Sequence, residues 1–127
     1  MSAYVLLGCE PGRDLAQPAL ALEALGAARQ VIALTAFRSA DLDAVASLQM
    51  PIALHAENEG SFVNLQGDLQ TAAAAVKPPG DARPAWKILR VLGDQLGLDG
   101  FEAVDLAEVT REIAALTEQG ASVPAAP

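Results

Sequence analysis

The sequence contains a single cysteine, Cys9, and a single histidine, His55, and aromatic residues make up only 4% of its 127 positions. A disulfide framework, a zinc ribbon and a self-contained iron–sulfur site each need more ligands of these types. The same scarcity removes the commonest nucleophile and base constellations, so chemistry carried by this chain alone would rest on carboxylates. Basic residues are scarce too. Eight Lys and Arg stand against sixteen Asp and Glu, a net charge of −8, which is the wrong sign for nucleic-acid phosphates or anionic lipid. No uninterrupted apolar run approaches the roughly 18 residues of a spanning helix, and residues 1–11 lack the charged start and apolar stretch of a signal peptide. The expectation is a soluble, cytoplasmic chain with no nucleic-acid partner and no direct membrane insertion.

What is present is apolar but small. Hydrophobic residues make up 52% of the chain, and alanine supplies 27 positions. The length suits one ordinary domain.

Residues 1–54 read as a βαβαβ half-domain. Tyr4 to Gly8 is a short apolar run, and Gln30 to Thr35 is a second one, rich enough in β-branched residues for a buried strand. Between them, Asp14 to Gln17 has capping-box spacing, Pro18 suits a first turn, and Ala19 to Leu25 favours helix. Ser39 caps a predicted helix from Ala40 to Ser47, and Met50 to Leu54 is a third strand whose proline marks a start or an edge. Residues 55–80 read as an extended segment with a turn near Gly67, an alanine-rich stretch from Thr71 to Val76 of ambiguous structure, and a breaker at Lys77 to Asp81. Residues 81–119 read as a C-terminal helical region. Its first helix has Pro84 in the first turn, an apolar face of Trp86, Ile88, Leu89, Leu92 and Leu96, and an end at Gly97 and Gly100. Its second starts at Asp105 with Glu108 three positions on, carries Leu106, Val109, Ile113 and Leu116 on one face, and closes at Gly120. Residues 120–127 are expected to be a disordered tail. Residues 99–118 hold six acids and one base, Arg111, so the second helix is also a conceivable docking surface for a basic partner.

Four constellations merit chemical attention. Gly8, Glu10 and Gly12 lie between a strand and a helix, where open α/β sheets bind ligands. The dinucleotide fingerprint is incomplete there, and Glu10 and Asp14 would repel a phosphate. An ordinary turn is the simpler account. His55, Glu57 and Glu59 alternate, so an extended backbone would align them as a metal or acid/base cluster; a solvated loop is the alternative. Cys9 suits a small buried hydrophobe better than a nucleophile. Arg83, Lys87 and Arg90 fall close together on one helical face and could meet an anion or simply face solvent, while Trp86 packs.

The segment Glu59-Gly60-Ser61-Phe62-Val63-Asn64-Leu65-Gln66-Gly67-Asp68-Leu69-Gln70, followed by Pro78-Pro79-Gly80-Asp81-Ala82-Arg83-Pro84-Ala85-Trp86, resembles a stretch of the molybdopterin oxidoreductase superfamily. There E-x-x-G-T-F-x-N-x-E-G-R-x-Q leads to P-P-G-E-A-R-P-x-W. Ile88-Leu89-Arg90-Val91-Leu92-Gly93 is similar to the continuation in the iron–sulfur subunit of this superfamily that belongs to bacterial NADH-quinone oxidoreductase, respiratory complex I. Tyr4 to Asp14 resembles the family's L-x-G-x-x-P-x-x-D strand and loop, and the likeness extends over roughly residues 4–113.

This resemblance implies a C-terminal part of a much longer subunit whose iron–sulfur clusters lie elsewhere. It implies a small, mostly parallel, three-layer Rossmann-like α/β fragment with a C-terminal helical pair, and apolar surface that the full protein covers. In cofactor-binding relatives the region holds part of a pterin–guanine-dinucleotide cofactor; in complex I subunits it is generally a structural remnant. Gln66 stands where an acid is common and Asp68 where a base is usual, which opposes an anionic cofactor. The function so implied is non-catalytic scaffolding of the peripheral electron-transfer arm. No catalytic residue, metal or cofactor is expected in this chain, at most a vestigial loop at Gly8, Glu10 and Gly12. Its partners would be the rest of its own subunit and other peripheral-arm subunits, at the cytoplasmic face of the inner membrane. The alternative is the cofactor-holding region of a true molybdopterin oxidoreductase such as a formate dehydrogenase.

Overall fold

A computed structural model describes residues 2–118. Among them lie two compact units, residues 2–58 with 74–88 and residues 59–73 with 89–118. The first unit is built on strands β1 (Ala3–Leu7), β2 (Gln30–Thr35) and β3 (Leu48–Pro51). They form one parallel sheet in the order β1-β2-β3, with Tyr4 beside Val31 and Ile32 beside Leu48. Helices α1 (Pro11–Asp14), α2 (Pro18–Gly26) and α3 (Ala40–Val45) make the connections. Both crossovers step in the same direction across the sheet, so the right-handed rule puts their helices on one face, and α2 and α3 touch each other there. The mixed α/β class and the parallel sheet are those anticipated.

Burial follows from this arrangement. Val31, Ala33 and Thr35 alternate along the central strand and are buried, as are Leu25 of α2 and Leu42 of α3. On the opposite face Val5 is 51% exposed, Leu7 52% and Leu48 45%. Leu34, at the centre of that face, is fully buried, so the exposure is confined to the two edge strands.

Several boundaries differ from the expectation for local reasons. Asp14 does not begin the long helix. It ends the single turn α1, and its carboxylate accepts the Glu10 N–H at 2.6 Å. Pro18 opens α2 behind Gln17, because the ring disfavours helical geometry in the residue before it. Ser39 caps α3 as expected, its hydroxyl accepting the Leu42 N–H at 3.3 Å. The helix stops at Val45, short of Ser47, because Ser47 is drawn into the sheet. Its backbone N–H donates to the Val31 carbonyl at 2.9 Å and its hydroxyl accepts the Val31 N–H at 3.1 Å. Strand β3 consequently begins at Leu48 rather than Met50. It ends at Pro51, because the Ala53 N–H and the Pro51 carbonyl pair with Arg83 instead. Pro51 lies on an edge strand of this sheet, as a residue without an N–H should. Replacing the α3 cap, Ser39→Ala, is expected to cost about 1 kcal/mol, measurable as a lowered urea midpoint with unchanged slope.

A 3-10 turn (His55–Glu57) follows. The second unit holds an antiparallel hairpin of β4 (Gly60–Val63) and β5 (Leu69–Ala72). Asn64 organises its turn, its side-chain oxygen accepting the N–H groups of Gln66 and Asp68, both at 2.9 Å, and Gly67 takes a φ of 89°. Thr71 and Ala72 end β5, and residues 73–76 are not helical; the N–H groups of Ala75 and Val76 donate to the Ala56 carbonyl.

Helix α4 (Ala85–Gln95) starts one residue after Pro84, so the proline stands just outside its first turn. It closes in a Schellman motif: Leu98 N–H donates to the Gly93 carbonyl and Gly97 N–H to that of Asp94, both at 3.0 Å, with Gly97 at a φ of 66°. Leu96 lies beyond the last helical residue and is exposed, so it does not extend the apolar face. Helix α5 (Leu106–Glu118) is capped as anticipated, the Asp105 carboxylate accepting the Glu108 N–H at 2.9 Å. The expected tail at 120–127 and the stop at Gly120 lie outside the described residues.

Candidate functional site

The loop after β1 is closed on itself. Gly8 takes a φ of 58° and donates its N–H to the Leu34 carbonyl at 2.8 Å, tying the loop to the central strand. The Glu10 N–H is held by Asp14, Pro11 has none, and the N–H groups of Arg13 and Asp14 both donate to the Glu10 carbonyl at 2.9 Å. The Glu10 carboxylate pairs with Arg13 at 3.6 Å. Gly12 lies against the Asp41 carboxylate, in space that a Cβ would occupy. Most amides that could cradle a phosphate here are committed, and three carboxylates stand around them. The residues of this loop do not fit a diphosphate.

Cys9 sits in the same loop, half-buried. Burial, with Asp14 beside it, raises its pKa. The folded thiol therefore carries less thiolate at a given pH than the unfolded one. Iodoacetamide is expected to alkylate Cys9 more slowly in the folded protein than in urea at pH 8, and Asp14→Asn should narrow the gap.

The ends of the next two strands are more open. A cavity of about 440 Å³ is lined by Thr35, Phe37, Arg38, Ser47, Gln49 and Pro51, among others. Asp43 connects its polar groups. One carboxylate oxygen accepts from Arg38 Nη2 at 3.0 Å and from Gln49 Nε2 at 2.8 Å. The hydrogen bonds from Gln49 and Arg38 hold the Asp43 carboxyl below its ordinary pKa. Gln49 Oε1 is buried with no hydrogen-bond partner among the described residues. Phe37, which also lines this cavity, is 58% exposed. An exposed ring and a guanidinium already paired with Asp43 are what this cavity offers a ligand. Sequence reasoning places the strand-end site at the first crossover and misses this one; the same rule applied after Thr35 would find it.

The remaining candidates are dispersed. The backbone at His55 is a 3-10 turn rather than extended, and the Glu57 carboxylate accepts the Leu54 N–H at 2.8 Å, so alternation does not align the three residues. No group of three His, Cys, Asp or Glu residues able to hold a metal occurs among the described residues. Arg83 precedes α4 and bridges to Ile52, its guanidinium donating to the carbonyls of Gly80 and Ala82; it is not part of a basic helical face. Lys87 lies over the Trp86 ring at 5.3 Å, a cation–π contact. Asp68 accepts from Asn64 Nδ2 at 3.0 Å, so the departure at this position has a local role in closing the turn. No described helix is long and apolar enough to cross a membrane.

A family model described as molybdopterin oxidoreductase matches residues 1–95. The alpha subunit of an NADPH-Fe(3+) oxidoreductase from Geobacter sulfurreducens is 33% identical over 97% of this chain and 14% of its own length. The mitochondrial 78 kDa subunit of NADH-ubiquinone oxidoreductase from Neurospora crassa is 41% identical over 42% of the chain and 7% of its own length. The alpha subunit of an F420-dependent formate dehydrogenase from Methanocaldococcus jannaschii is 34% identical over 59% of the chain and 11% of its own length. The chain thus spans about a tenth of the length of the relatives it matches.

Proposed function

From the premise that the chain belongs to the molybdopterin oxidoreductase family, we propose that it is a non-catalytic structural segment of a larger redox subunit. The parent in this reading is of the NADH-quinone oxidoreductase kind, its iron–sulfur clusters lie outside this chain, and the segment scaffolds the peripheral electron-transfer arm at the cytoplasmic face of the membrane. The observation that carries the reading is the closed β1 loop, whose amides and carboxylates satisfy one another instead of awaiting an anion. The exposed strip of Val5, Leu7 and Leu48 supports it further, since such a face belongs under the rest of a subunit. That the relatives are named as subunits supports partner chains.

A second reading rests on the cavity at the ends of β2 and β3. In a cofactor-holding relative, Phe37, Arg38 and Gln49 would be the residues that hold one nucleotide end of a pterin–guanine dinucleotide. Bound, such a cofactor supplies a metal centre for two-electron chemistry. One experiment separates the readings. The full-length parent subunit is purified from its own host and assayed for iron, molybdenum and tungsten, and for pterin by fluorescence after oxidation. Iron without molybdenum, tungsten or pterin is the expected result. Stoichiometric pterin with either metal would overturn the scaffold reading in favour of the second.

A further inference from the structure

Asp99 is the only aspartate in the chain followed by glycine, and neither the scaffold nor the cofactor-holding role gives the pair a task. Residues 99 and 100 are exposed in the connection between α4 and α5. Asp14, Asp43, Asp68 and Asp105 are each tied by a hydrogen bond, whereas the Asp99 carboxyl has no hydrogen bond or ion pair among the described residues and is free to turn. The amide it can turn onto is unobstructed. Gly100 takes a φ of 86°, has open space where a Cβ would stand, and donates its N–H to Glu102 Oε1 at 3.3 Å. A carboxyl beside an unhindered amide, with a proton acceptor already on that amide, has the parts of an intramolecular acyl transfer.

We propose that Asp99 is a site of spontaneous isoaspartate formation, with Glu102 as the proton acceptor. Gly100 N attacks Cγ of the protonated Asp99 carboxyl while its own proton passes to Glu102. The new N–Cγ bond closes a succinimide ring, and the Cγ hydroxyl leaves with that proton as water. Water then reopens the ring. Addition at Cγ restores aspartate, whereas addition at the Asp99 main-chain carbonyl carbon breaks its bond to Gly100 N and leaves isoaspartate, an isomer of the same mass. The main chain then runs through Cβ and Cγ, one atom longer. That atom falls between the Gly97 cap and Phe101, whose ring lies against Gly93, so isomerisation loosens this contact. The product belongs to the substrate class of isoaspartyl carboxyl methyltransferases. The proposal stands whether the parent is a scaffold or a cofactor-holding subunit.

The test ages the full-length parent in its native complex near neutral pH and then digests it with trypsin. Cleavage after Arg90 and Arg111 gives one peptide, residues 91–111, in which Asp94 and Asp105 precede Gln95 and Leu106 and serve as controls. The expected product is a second chromatographic form of that peptide, equal in mass, with isoaspartate at Asp99 by electron-transfer fragmentation and methylated by an isoaspartyl methyltransferase. Asp99→Glu, which cannot close the same ring, should lose it. Glu102→Gln should slow its formation about tenfold in the folded complex and leave the rate in urea unchanged. No isoaspartate at Asp99, as much of it at Asp94 or Asp105, or a folded rate indifferent to Glu102→Gln would each overturn the proposal.

Discussion

Leu34→Ala is expected to destabilise the protein by about 3 kcal/mol, the largest single-residue effect in the first unit. Leu34 lies in the central strand, is fully buried, and is adjacent in register to Leu7 and Met50. Removing its isopropyl group leaves a cavity bounded by strands on both sides, which cannot close without breaking their pairing. Its carbonyl also anchors Gly8, so the loop beyond β1 would loosen with it. Val5→Ala is the control: the residue is half exposed on the same face and should cost less than about 1 kcal/mol. Equilibrium urea unfolding of both variants checks the difference. Equal costs would mean that the sheet is not the stabilising core.

Gly93→Ala should also be costly, against the ordinary direction. In a helix interior this exchange normally gains about 1 kcal/mol. Here Gly93 is buried in α4, and a Cβ would fall against the Phe101 ring, within 2.6 Å of its Cδ2. A ring wedged behind a helix end cannot shift without carrying the connection from Gly97 to Gly100 with it, so a net loss of about 2 kcal/mol is expected. The double variant Gly93→Ala with Phe101→Ala provides the check. In the Phe101→Ala background the glycine exchange should become neutral or stabilising, the coupling expected of residues in contact. If Gly93→Ala destabilises equally in both backgrounds, the ring is not what the glycine accommodates.

Features set within a few residues are legible in the sequence. Ser39, Asp105 with Glu108, Gly97 and the Gly67 turn act through hydrogen bonds or backbone angles between near neighbours in the chain, and each stands where local chemistry puts it. Asp14 shows the limit of that logic. Its spacing satisfies a capping box, but the restriction that Pro18 places on Gln17 prevails, and the carboxylate turns back to Glu10. Arg83 belongs to a helical basic face by spacing alone, and its bridge to Ile52, far back in the chain, takes it out of that face. The cavity beside Thr35 is hidden from the sequence for the same reason: Arg38, Asp43 and Gln49 are ordinary surface residues until β3 aligns with β2.

The alternation of strand and helix, the caps and turns, the acidic balance and the family can all be read from the chain alone, because they reside in local patterns and in residue identity. Folding was needed to establish where the sheet's edges lie open, which loop is closed on its own groups, and why Gly93 must be glycine. Those properties depend on atoms that strand pairing, crossover direction and the return of a connection against its helix bring together, and no period or spacing along the chain encodes that proximity.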